Sequence, residues 1–149
     1  MSLEKKAGPE MQRPAPGQPQ EIGERSVAYA LRAIKLFQFL QAQKDGAGRI
    51  LGKQYLRCAT SIGANIEESH AAESRLDFVH KLGIALKESR ESRCWLRLLT
   101  ESGIVRPGKL RPLAKETEEL GKVIASIIVN TKRNPKSRTQ GPNARGTST

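Results

Sequence analysis

Between residues 23 and 133 the chain offers three places where a helix is readily interrupted, and the apolar residues between them recur every three or four positions. The interruptions are Asp45-Gly46-Ala47-Gly48, the stretch from His70 to Ser74, and Ser102-Gly103 through Arg106-Pro107-Gly108. Spacings of three and four stack side chains on one side of an α-helix, whereas a half-buried strand needs strict alternation. Four amphipathic helices are therefore predicted. On the first, Val27, Leu31, Ile34, Phe37 and Leu40 form the expected core stripe; on the second, Leu51, Tyr55, Cys58, Ile62, Ile66 and Ser69 do. The third opens with Ser74 as N-cap and Asp77 in its first turn, then runs through Phe78, Leu82, Ala85, Ser89, Ser92, Leu96 and Leu99. The fourth carries Leu113, Leu120, Ile124, Ile127 and Ile128. Rods of this kind joined by short links pack as antiparallel neighbours, so the expected fold is all-α, an up-down antiparallel four-helix bundle.

Outside these segments the composition changes. Pro9, Pro14, Pro16 and Pro19 among Gly and Gln make residues 1–22 an expected disordered tail. Residues 134–149, beginning at Asn134-Pro135, form an expected disordered basic tail, leaving 23–133 as the bundle. The longest apolar run, Val123 to Val129, is interrupted by Ser126 and falls far short of the ~20 residues that cross a bilayer. No N-terminal apolar stretch resembles a signal peptide, and the expected location is cytoplasmic, with no membrane association. Cys58 and Cys94 are far apart and lack Cys-x-x-Cys spacing, so both read as reduced thiols.

Charge points to a partner. The chain has 26 Lys and Arg against 15 Asp and Glu, a net +11, and residues 23–133 hold 20 of the basic and 12 of the acidic groups. A folded surface this basic is suited to a polyanion such as RNA or DNA. Arg49, Lys53 and Arg57 repeat every four residues on the outer side of the second helix; Arg90, Arg93 and Arg97 flank the stripe of the third; Arg32 and Lys35 lie on the first. Lys and Arg without interleaved aromatic rings favour contact with phosphate backbone over base readout. The competing interpretation is a solvated face held by salt bridges, with Glu88 and Glu91 the nearest carboxylates to Arg90 and Arg93.

A second apolar face remains once the stripes are assigned. Tyr29, Leu36 and Phe39, with Trp95, Leu98 and Val123, fall away from their own helices' stripes and are expected to form a homo-oligomer interface. Ser61 and Asn65, four apart beside the second stripe, are expected to form a polar pin in the core that fixes helix register. No glycine-rich phosphate loop, Gly-x-Ser-x-Gly elbow or Cys-His pair is present, so neither catalysis nor a cofactor is expected. Glu67, Glu68, His70 and Glu73, or His80 with Asp77, fit no metal-ligand spacing, and no metal is expected.

Residues 57–104 contain Ser61-Ile62 and Asn65-Ile66 with Glu68, followed by Asp77-Phe78, Leu82 and Ile84-Ala85-Leu86. This paired signature resembles a family of bacterial four-helix bundle proteins. It includes proteins encoded in the intervening sequences of 23S ribosomal RNA and the accessory variability determinant proteins of diversity-generating retroelements. With flanking helices the likeness covers residues 24–133. It implies a ring-like homopentamer with a positive surface, and, for the retroelement members, binding to nucleic acid and to a reverse transcriptase as an accessory factor. Glu67-Glu68-Ser69 stands where many relatives have Ala-Glu-Gly, so a retroelement setting is not implied. The function expected is therefore non-enzymatic binding of RNA or DNA by an oligomeric basic protein. The alternative is a protein–protein interaction scaffold with no nucleic-acid role.

Overall fold

A computed structural model describes residues 19–134, and the expected tails at 1–18 and 135–149 lie outside the described residues. Four helices follow in order: α1 (Pro19–Ala42), α2 (Gly46–His70), α3 (Arg75–Glu101) and α4 (Pro107–Arg133). Each packs against its neighbours in sequence and α1 closes on α4; contact is most extensive between α2 and α3 and sparsest between α1 and α4. Links of three to five residues force each helix to reverse direction, giving the up-down antiparallel bundle.

Local chemistry explains each reversal. Asp45 caps α2, its Oδ1 accepting from the Gly48 amide at 2.8 Å. Ser74 caps α3 in the same way, accepting from the Asp77 amide at 3.0 Å. After α3 the chain turns through Gly103 at φ 78°, a left-handed conformation that costs residues with a Cβ. Pro107 then opens α4, where its missing N–H would have had no helical partner.

The buried residues of α3 are those its sequence predicts, Phe78 through Leu99. On α2, Tyr55, Cys58, Ile62, Ile66 and Ser69 are buried and Leu51 is half-buried. On α4 the stripe is buried at Leu113, Leu120, Ile124 and Ile127, with Leu110 and Thr117 added and Ile128 half-buried.

On α1 the expected stripe holds at Leu40 and half-buried Phe37 but is out of phase over the rest of the helix. Ile22, Ser26, Tyr29, Ala33, Leu36 and Leu40 face the core, while Val27 (56% exposed), Leu31 (57%) and Ile34 (37%) face out. Two causes combine. Ser26 is small enough for α2 to approach closely: a Cβ added at Gly63 would sit 3.3 Å from Ser26 Oγ. Tyr29 also finds hydroxyl partners inside. Its oxygen lies 2.6 Å from Thr117 Oγ1 and accepts from the Tyr55 hydroxyl at 2.9 Å, so α1, α2 and α4 meet at one buried polar chain. The two rings stand edge-on, 6.5 Å apart at 79°. Tyr29 and Leu36, expected at an oligomer interface, are thus core residues. Ile22 moves the start of the bundle: it is 1% exposed and continues the same ladder one turn upstream, so residues 19–22 belong to α1 and not to a tail.

Of the other expected interface residues, Phe39, Trp95 and Val123 are half-buried against the core, and Leu98 is 42% exposed. Lys109 Nζ sits 3.1 Å from the Phe39 ring centroid. The Ser61–Asn65 pin is also corrected. Asn65 Nδ2 donates to the Ser61 carbonyl at 2.8 Å, a bond within one helix between half-buried residues. Such a bond cannot set register between helices; the Tyr29–Tyr55–Thr117 chain does.

Candidate nucleic-acid interface

Arg49, Lys53 and Arg57 are exposed along α2, as their four-residue spacing requires. They are not equivalent. Arg57 Nη2 donates to Glu91 Oε1 at 2.7 Å and lies 3.3 Å from Cys58 Sγ, while Nη1 is 3.8 Å from Glu88 Oε2. Its charge is matched across the α2–α3 seam, which removes it from the expected trio of free cations. Arg49 and Lys53 make no ion pair among the described residues.

The same bridge has an effect on α3. Glu88 and Glu91, the carboxylates closest in sequence to Arg90 and Arg93, are turned toward Arg57 on α2: Glu91 accepts its hydrogen bond, and Glu88 lies within ion-pair distance with its buried Oε2 making no hydrogen bond. Arg90 and Arg93 are therefore exposed with no carboxylate partner among the described residues. Arg97 pairs with Glu101 at 3.0 Å, but both are well exposed, and such a pair is easily exchanged for a competing anion.

Cys58, Glu88 and Glu91 bring potential metal-ligand atoms within 4.8 Å of one another, a grouping hidden from sequence because it spans two helices. The Arg57 guanidinium lies among them and supplies the positive charge. Burial pushes the Cys58 thiol up to about 12, so at neutral pH it is protonated and a poor nucleophile. Burial by itself would raise the Glu91 carboxyl; hydrogen bonding from the thiol and Arg57 outweighs it and holds that carboxyl below the usual range.

Between α3 and α4 runs an open groove of about 690 Å³, continued toward Leu86 and Ala125 by a smaller one of about 210 Å³. Arg90, Arg93 and Arg97 form one wall; Arg111, Lys115 and Lys122 form the other. Glu101 and Glu118 are the acidic members, and Leu96 and Ala114 lie between the walls. Arg111 and Lys115 escaped the sequence reading because nothing in sequence says that one edge of α4 will face the α3 arginines. Each makes no ion pair among the described residues.

Comparison with known families matches residues 19–126 to a model described as 23S rRNA-intervening sequence protein. The chain belongs to that family. The match begins where α1 begins and ends inside α4, so it spans all four helices. A crystal structure from Bacteroides thetaiotaomicron VPI-5482, described as a protein of unknown function from the S23 ribosomal protein family, is 38% identical. The alignment covers 74% of this chain and 97% of that one, with a TM-score of 0.70. A comparison with curated proteins returns no match. Arg32 and Lys35 are exposed on α1, also without an ion pair among the described residues. No helix among the described residues is long and apolar enough to cross a membrane.

Proposed function

We propose that this protein is a non-enzymatic, oligomeric helical protein that binds RNA or DNA through its basic surface. One observation carries the proposal. Among the described residues, ion pairs engage five of the twenty Lys and Arg side chains of residues 23–133: Arg25, Arg57, Lys81, Arg97 and Lys122. A surface kept soluble by balanced charge pairs would look different; here most cations wait for an external anion. The family description, which refers to an intervening sequence of ribosomal RNA, is in keeping with that partner.

In the same reading, self-association multiplies the field. Val27, Leu31 and Ile34 present an apolar stripe to solvent at a spacing that fits a helix face, and they replace Tyr29 and Leu36 as the surface for a second copy. A ring of five is the assembly that the family resemblance implies. The test is light scattering together with the ultraviolet absorbance ratio of one preparation, followed by retention of labelled RNA at low and moderate salt. An oligomer that retains RNA at low salt and releases it at moderate salt is expected. Clean protein absorbance with no retention at either salt would remove the nucleic-acid role and leave the scaffold function.

A further inference from the structure

We infer that the groove between α3 and α4 seats a single nucleic-acid strand, with its phosphate backbone held between two facing rows of cations. The inference rests on the nucleic-acid function proposed above and narrows it to one place and one form of ligand.

Four of the six cations lining the groove and its continuation, Arg90, Arg93, Arg111 and Lys115, have no carboxylate partner among the described residues, and they come from both walls. Opposed rows differ from a flat basic patch, because a phosphate between them meets charge from two sides. The Arg57 bridge to Glu88 and Glu91 contributes by keeping those carboxylates on the far flank of α3.

Dimensions select the ligand. Helices packed about 8–10 Å apart axis to axis leave a surface crease into which a duplex, wider than its own roughly 12 Å major groove, does not sink. A duplex would ride across the rims and reach one row at a time. A single strand carries a phosphate every ~3.4 Å when stacked and further apart when extended. Arg93 to Arg97 and Arg111 to Lys115 are one helical step of four residues each, a rise of about 6 Å, which falls within the reach of such a strand. The floor supplies Leu96 and Ala114 and no aromatic ring, so bases gain no stacking platform and the groove should be indifferent to sequence.

The exposed thiol of Cys94 lines this groove, whereas Cys58 is buried, so Cys94 reports occupancy. The experiment measures maleimide alkylation of Cys94 in the full chain, alone and with saturating oligo(U), oligo(dT) or a duplex of equal length, with binding followed separately by anisotropy. The single strands should slow alkylation severalfold and the duplex should not. Replacing Arg93, Arg111 and Lys115 by Ala should lower the slope of log K against log salt by about two. Arg49→Ala with Lys53→Ala should lower it by less. Strands that bind with the alkylation rate unchanged, or equal protection by the duplex, would overturn the inference while leaving nucleic-acid binding intact. No binding of any probe at low salt would overturn both.

Discussion

Three helices meet at the hydroxyl of Tyr29, and the direction of its hydrogen bonds decides what each substitution there will do. Thr117 donates to the Leu113 carbonyl at 2.7 Å, so its oxygen accepts from Tyr29, which in turn accepts from Tyr55. Tyr29→Phe strands the Tyr55 hydroxyl as a buried donor and is expected to cost about 1–3 kcal/mol. Tyr55→Phe removes only the donor at the head of the chain and should cost less. Urea unfolding of the two variants checks this ordering, and equal losses would contradict it. Burial also raises the phenol pKa of both tyrosines. A phenol that stays protonated in the fold while the unfolded chain ionises near pH 10 leaves stability intact below that pH and erodes it above. The Cys58 thiol, at about 12 in the fold against about 8.5 unfolded, acts in the same sense from a lower starting pH. Melting temperature should therefore fall as pH rises from about 8.5, and Cys58→Ala should flatten the first part of that decline. Little of this polar chain was legible in sequence, since a tyrosine off the apparent stripe looks like a surface aromatic until its hydroxyl partners are known.

At the level of the helix, α3 and α1 show what patterning conveys. The stripe of α3 was legible in full because Phe78, Leu82, Leu96 and Leu99 set its phase, and Ser89 and Ser92 satisfy themselves by donating to Leu86 and Glu88 carbonyls. The phase of α1 was not, because hydrophobicity favours Val27, Leu31 and Ile34 while close packing favours Ser26 and Ala33. Substitution separates the two faces. Leu31→Glu should change the stability of the folded chain by no more than about 0.5 kcal/mol, while Leu36→Glu should prevent folding. Circular dichroism reads the fold, and light scattering reads whether Leu31→Glu also abolishes the proposed self-association. The α3–α4 link makes its own prediction: Gly103→Ala places a Cβ at φ 78° and should destabilise by about 1 kcal/mol, measured by thermal melting.

For the whole molecule, the number of cations was legible in sequence and their arrangement was not. Arg49, Lys53 and Arg57 looked alike by spacing, yet only the fold shows that Arg57 is spent on Glu91 and that Arg111 and Lys115 come to face the α3 arginines. The result is a basic body most of whose cations make no ion pair among the described residues, and in the proposed function it would bind polyanions by displacing their counterions. The decisive measurement is the affinity for a labelled single-stranded RNA across a salt series. With the four unpaired groove cations engaged, log K should fall linearly with log salt at a slope of about −3 or steeper. An affinity independent of salt, or no binding at the lowest salt, would contradict the account.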